Sequence, residues 1–187
     1  MPRHAHYVPH GVIPAALLPF NDDLSIDEKS FHKHLRDLAA VPHLTAVTIN
    51  AHSTEVASCT FEEQRRVLEI AQGEIGGKLP LVNGIWADGS LEAARIARMA
   101  EEGGASALLV FPPAPFTLQQ SPAMAVEHFK RIADASALPI IAFQYPLATG
   151  QGYSRETLLK LVEEVPTCLP EGIPPWPGRW AVLAKLS

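Results

Sequence analysis

The stretch Asn50-Ala-His-Ser-Thr-Glu55 sets an imidazole, two hydroxyls and a carboxylate side by side. Hydroxyls, ring N–H groups and backbone amides converging from one loop are what a bound carboxylate needs. His52 adds a donor, and a charge when protonated. The competing expectation is that the polar side chains of such a loop satisfy backbone groups of a turn. Two other features bear chemistry. His4, His6 and His10 are residues of the metal-binding type. No carboxylate or cysteine completes that set, and a chain end holds ligands poorly, so no metal is expected. Cys59 stands just before a helix start, where a thiolate is favoured. No partner histidine is evident for it, and burial as core filler is the expectation.

Composition narrows the functions these residues can serve. The chain has 187 residues, 47% of them hydrophobic, which suits one domain with a sizeable core. Its net charge is −5 and its lysines and arginines are scattered. Nucleic-acid binding needs a basic stripe to offset phosphate charge, so no nucleic-acid partner is expected. Apolar runs such as Ala107 to Phe111 are of strand length. None approaches the roughly 18–20 apolar residues of a membrane span, so no membrane partner is expected either. The opening MPRHAHYVPHG lacks the apolar middle of a secretory signal. Two cysteines, Cys59 and Cys168, do not make a disulfide framework. These features together predict a cytoplasmic protein.

The elements that must position the loop follow from hydrophobic patterning. Val12–Leu17, Ala46–Ile49, Leu81–Ile85, Ala107–Phe111 and Ile140–Phe143 are short and almost continuously apolar. Strands read this way when both faces of a parallel sheet are covered. Helix starts punctuate the gaps. Ser25-Ile-Asp-Glu28 and Thr60-Phe-Glu-Glu63 have the form of capping boxes, Ser121 precedes Pro122, and Ser154 marks a fourth start. Phe31, Leu35 and Leu38 recur at helical spacing, as do Val67, Ala71 and Ile75, and Phe129, Ile132 and Ala133. Leu158, Leu161, Val162 and Val165 form a last stripe, and all four stripes are expected to face the core. The order is strand then helix, five times, with strand starts about 26–35 residues apart. A closed barrel of eight such units and an open, doubly wound sheet both use this alternation. No Gly-x-Gly-x-x-Gly or phosphate loop follows the first strand, so nucleotide binding has no local support.

From Thr167 the composition changes abruptly. Prolines stand at 170, 174, 175 and 177, and Pro-Pro-Trp-Pro-Gly suits neither a helix nor a central strand. Residues 167–187 are read as an irregular tail, foreign to the pattern, as a change of reading frame would produce.

These motifs, in this order, resemble the family of dihydrodipicolinate synthase and N-acetylneuraminate lyase. Gly11-Val-Ile-Pro-Ala-Ala-Leu-Leu-Pro-Phe-Asn-Asp-Asp resembles its first strand and loop, and Ser25-Ile-Asp-Glu28 sits where its first helix begins. Asn50-Ala-His-Ser-Thr-Glu55 with Thr60-Phe-Glu-Glu-Gln-Arg65 resembles its Gly-Thr-Thr-Gly-Glu loop and next helix. Phe111-Pro-Pro and Phe143-Gln-Tyr-Pro146 match the ends of its fourth and fifth strands. The resemblance covers roughly residues 11–166. It implies an α/β fold of the eight-unit (TIM) barrel type, here a partial barrel of about five βα units, preceded by a disordered tail, 1–10. It also implies Schiff-base chemistry: a lysine on the sixth strand condenses with pyruvate or another 2-oxo acid, and the iminium stabilises an adjacent carbanion. No cofactor is implied.

The resemblance also assigns roles. His52 and Ser53 stand at the two threonine positions of the carboxylate-holding loop, Thr54 replaces the motif's last glycine and Ala51 its first. His52, Ser53 and Thr54 are therefore the expected substrate-binding residues, with Glu55 as scaffold. The family's proton-shuttling tyrosine falls at Phe143, which has no proton to move. Tyr145, two residues on, shares that strand face by alternation and is the remaining catalytic candidate. Ala114-Pro115-Phe116 replaces the tyrosine pair after Pro-Pro, and Ala148 replaces an arginine that binds the aldehyde substrate, so synthesis of dihydrodipicolinate is not expected. The lysine falls, by family spacing, near Glu171, Gly172 and Ile173, while Lys185 comes about a dozen residues late. The expectation is a lyase-family chain with little or no activity. The alternatives are a non-catalytic α/β module binding a small carboxylate, and a gene remnant. Five units leave sheet edges and apolar surface uncovered, so self-association is expected.

Overall fold

The computed structural model describes residue 4 and residues 6–165. Residues 167–187, with Cys168 and Lys185, lie outside the described residues. The order of elements is α1 (Glu28–Ala39), β1 (Val47–Ile49), α2 (Phe61–Glu74), β2 (Leu81–Ile85), α3 (Ser90–Glu102), β3 (Ala107–Val110), α4 (Pro122–Ala135), β4 (Ile140–Ala142) and α5 (Arg155–Glu164). The four strands form one parallel sheet in the order β1-β2-β3-β4. Val47 pairs with Leu81, Val82 with Ala107 and Leu108 with Ile140.

That order decides between the two architectures left open by the sequence. A doubly wound sheet reverses direction and carries helices on both faces. Here the strands advance one way. Val47, Ile49, Leu81, Ile85, Leu108, Val110 and Ile140 join the large cluster that takes in the buried residues of the helices. The opposite face carries Ala46, Val82, Ala107, Leu109, Phe111 and Ile141, with no helical residue among them. Helices on one face and side chains filling the other describe an arc of barrel wall, in which the carboxyl ends of the strands share one rim.

The first expected strand differs. Val12–Leu17 runs beside β1 but makes only single parallel bridges, Val12 to Leu44 and Ala15 to Thr48. The Thr48 N–H donates to the Pro14 carbonyl at 2.8 Å and the Ala16 N–H to the Thr48 carbonyl at 2.9 Å. Pro14 has no N–H to extend a ladder, so the segment follows the edge without becoming a regular strand. Within 1–10, expected to be disordered, Tyr7 packs against the inner cluster beside Ile13 and Ala15. Among the described residues no strand pairs with the far edge of β4.

The caps hold with one correction. Thr60 and Glu63 complete a capping box on α2, and Ser121 and Ser154 cap α4 and α5. The first helix is capped by Asp27, which accepts from the Ser30 N–H at 3.0 Å, and not by Ser25. Ser25 is held one step earlier, its N–H and hydroxyl both donating to Asp23. Helix α3 begins at Gly89 with no side-chain cap, which is why no start signal marks it in the sequence. On α5, Leu161 and Val165 are buried but Val162 is 40% exposed, so the stripe is narrower than its spacing suggests.

One buried polar contact ties α3 to α4. His128 is 3% exposed, and its Nδ1 lies 3.0 Å from the Ser90 hydroxyl. Burial pushes the imidazole from 6.5 down to about 4. The folded state therefore disfavours the proton that the unfolded chain accepts below pH 6.5, so stability falls as pH drops from 6.5 to about 4. The loss expected from this one group is about 3 kcal/mol. Urea unfolding across that range should show the loss, and His128→Gln, which cannot titrate, should flatten it. Coincident pH profiles of wild type and variant would exclude His128 as the titrating group.

Candidate functional site

The polar loop leaves β1 at the rim and turns twice. Asn50 has a positive φ of 51°, and a short 3₁₀ turn follows over His52–Thr54. Glu55, with φ 54°, reverses into a second turn over Val56–Ser58. Both are left-handed positions that L-residues adopt sparingly, so the surroundings must hold them. They do so with buried amides. The Asn50 side-chain amide donates to the Gln64 carbonyl at 2.9 Å and to Asn83 Oδ1 at 2.8 Å, while Asn83 donates to the Gly84 carbonyl at 2.8 Å. The backbone oxygen of Asn50 passes 1.9 Å from where a Cβ on Gly84 would stand, so β2 admits only glycine beneath the loop.

Within the turn, Thr54 is buried and its hydroxyl donates to the Ala16 carbonyl at 2.9 Å, anchoring the loop to the first segment. His52 and Ser53 face out. Among the described residues, the backbone N–H groups of His52 and Ser53 have no hydrogen-bond partner, whereas those of Thr54, Glu55 and Val56 bond back into the turn. The Glu55 side chain is exposed, and its part in the loop is the backbone reversal at its α-carbon.

Around this loop the rim is aromatic. The His52 ring lies 4.8 Å from Trp86, 4.3 Å from Phe111 and 5.8 Å from both Phe143 and Tyr145, measured between centroids. Trp86 follows β2, Phe111 follows β3, and Phe143 and Tyr145 follow β4, so each successive strand end contributes a ring. Phe143 and Tyr145 share one face, their rings 4.9 Å apart. Gln144 between them points away and exchanges two hydrogen bonds of 3.0 Å with the backbone of Tyr153. The Tyr145 hydroxyl hydrogen-bonds to His52 Nε2. Burial holds the His52 imidazole below its ordinary value and the Tyr145 phenol above its own. At neutral pH the pair is therefore an uncharged imidazole hydrogen-bonded to an uncharged phenol, and His52 brings no positive charge to the loop.

Sequence reasoning brought His52, Ser53, Thr54 and Tyr145 into view and missed Trp86 and Phe111. Trp86 sits one residue past an apolar run and Phe111 is the last residue of one, where each reads as the end of a core strand. Only the spacing of strand ends around an arc turns them toward His52. The other candidates fall elsewhere. His4 bonds to the Gly76 carbonyl and His10 to the Val8 carbonyl. Among the described residues no three His, Cys, Asp or Glu side chains gather to hold a metal ion. Cys59 is half-buried, and burial together with Glu63 and Glu55 pushes its thiol up to about 11, so the helix start does not yield a thiolate. No helix among the described residues is long and apolar enough to cross a membrane.

If the Asn50 crossing is what shapes the loop, Gly84→Ala forces it to move. A stability loss of about 2–3 kcal/mol in urea unfolding is expected for that overlap. A loss of less than about 0.5 kcal/mol would mean that the loop is not pinned there.

Comparison with known proteins gives the family and the fold. Residues 8–169 match the model of the dihydrodipicolinate synthetase family. The 4-hydroxy-tetrahydrodipicolinate synthase of Methanopyrus kandleri is 35% identical over 156 residues, covering 82% of this chain and 51% of the relative. The crystal structure of dihydrodipicolinate synthase from Agrobacterium tumefaciens superposes with a TM-score of 0.71 at 30% identity, over 82% of this chain and 51% of that one. YagE of Escherichia coli K12, a prophage protein of the same family solved in complex with pyruvate, shares the fold with a TM-score of 0.73 at 22% identity, over 82% of this chain and 50% of its own. The chain thus spans about half the length of the relatives it matches.

Proposed function

This chain belongs to the dihydrodipicolinate synthetase family of Schiff-base, aldolase-type lyases, and from that premise we propose that it keeps the family's carboxylate-holding loop without the rest of its catalytic apparatus. The ligand on this reading is a small 2-oxo acid, such as the pyruvate held by YagE. The observation that carries it is the pair of free N–H groups of His52 and Ser53, at the strand-end rim beside the exposed Ser53 hydroxyl. Two backbone amides and a hydroxyl on adjacent residues of one loop are donors of the kind a carboxylate takes, in a site with no fixed positive charge. Thr54 acts in this scheme as the residue that sets the loop, since its hydroxyl proton is committed to Ala16.

Tyr145 is the candidate proton carrier, because Phe143 leaves the neighbouring ring position without a hydroxyl. Its hydroxyl is hydrogen-bonded to His52 in the free protein, so a ligand must compete for that bond before it engages the phenol. The amine is the missing part among the described residues. Lys29 and Lys33 lie on α1, Lys78 follows α2, Lys130 lies on α4 and Lys160 on α5, all on the helical layer and away from the rim. Lys33, Lys130 and Lys160 are held in ion pairs with Asp37, Glu164 and Glu156. An amine locked on the outer layer cannot condense with a 2-oxo acid held at the strand ends. The edge of β4, with which no strand among the described residues pairs, is, on the same reading, a place where a second copy adds, and sedimentation velocity on the full chain should find species larger than the monomer.

Calorimetric titration of the full chain with pyruvate tests the binding step. A saturable isotherm is expected, weakened about fivefold by Ser53→Ala, the effect of one lost hydrogen bond of about 1 kcal/mol. No heat of binding, or equal affinity for the variant, would overturn the assignment. Borohydride reduction with pyruvate followed by peptide mass spectrometry should give no lysine adduct, and an adduct would refute the claim that the amine is missing.

A further inference from the structure

We infer that the 2-oxo acid this rim accommodates best carries an aromatic ring. The inference rests on the carboxylate reading above and extends it to the other end of the ligand. The loop holding the free N–H groups of His52 and Ser53 is bordered by Trp86, Phe111, Phe143 and Tyr145. Phe111 is buried and forms the floor, whereas Trp86, Phe143 and Tyr145 are partly exposed and His52 is exposed. The partly exposed faces of Trp86, Phe143 and Tyr145 offer apolar surface at the strand-end rim, and a further ring laid on it gains hydrophobic stabilisation.

Their mutual angles matter as well. His52 meets Trp86 at 72° and Phe143 at 80°, and Phe143 meets Tyr145 at 68°. Edge-to-face pairs of this kind leave some ring faces and edges directed outward, and a further aromatic ring can complete the same pattern. Ring faces carry negative potential and repel a carboxylate, whereas N–H groups attract it. The ligand is thereby oriented, with its carboxylate on the His52 and Ser53 amides and its ring on the Trp86, Phe143 and Tyr145 surface. A methyl group, as in pyruvate, leaves that surface wet. No other described element brings so many rings to one place.

Parallel titrations of the full chain with pyruvate, phenylpyruvate and 4-methyl-2-oxopentanoate test this. Phenylpyruvate is expected to bind at least tenfold more tightly than pyruvate and at least threefold more tightly than the branched aliphatic acid. In Trp86→Leu the preference for phenylpyruvate over pyruvate should shrink below threefold. Equal affinity for pyruvate and phenylpyruvate overturns the aromatic assignment while the carboxylate reading stands, and so does equal affinity for the aliphatic acid. Binding of none of the three overturns both. The comparison of ligands on the wild-type chain decides the matter even if the Trp86 variant does not fold.

Discussion

Every strand of this sheet is joined to the next by a helix that returns along the same face, and the sheet never reverses direction. Parallel strands linked by right-handed crossovers can do this only by curving, with the helices outside and the strand ends gathered on one rim. All that is functional here depends on that gathering. His52, Trp86, Phe111, Phe143 and Tyr145 are spread from residue 52 to residue 145, yet their rings lie within 4.3–6.0 Å of a neighbour in the cluster. The same geometry puts the described lysines away from the rim, where Lys33, Lys130 and Lys160 pair with carboxylates.

The rim itself is held by small, buried polar contacts. Asn50 carries a left-handed backbone because its side chain is tied to α2 and β2 at once, and because Gly84 leaves room for its carbonyl to cross. Thr54 ties the other end of the turn to the first segment. A 3₁₀ turn fixed at both ends leaves two N–H groups without internal partners, since a turn of this kind cannot satisfy its own first donors. The two N–H groups left without internal partners are therefore a consequence of how the backbone is pinned.

Aromatic replacement changes what the rim can do. Phe143 supplies a ring without a proton, and Tyr145, further along the same face, supplies the hydroxyl but hydrogen-bonds it to His52. Burial of the pair keeps both uncharged at neutral pH. The rim belongs to a chain that matches about half the length of its relatives.

Much of this was legible in the sequence alone. Continuous apolar runs marked four strands because a strand covered on both faces has no polar side to display. Thr60, Ser121 and Ser154 marked helix starts because a side-chain oxygen there meets an otherwise unpaired N–H. The ordered motifs, down to His52 and Ser53 in the loop, pointed to the family. Other features were settled only by the fold. Pro14 broke the first strand because a ladder needs a donor from the partner it pairs with, and Asp27 displaced Ser25 as a cap because Asp23 had already engaged the serine. Trp86 and Phe111 joined the site because strand ends distant in sequence meet on a curved rim, and periodicity along one strand carries no information about which neighbour its last residue will face. Local patterns dictate local structure, but the distance between His52 and its surrounding rings is set by the curvature of the whole sheet.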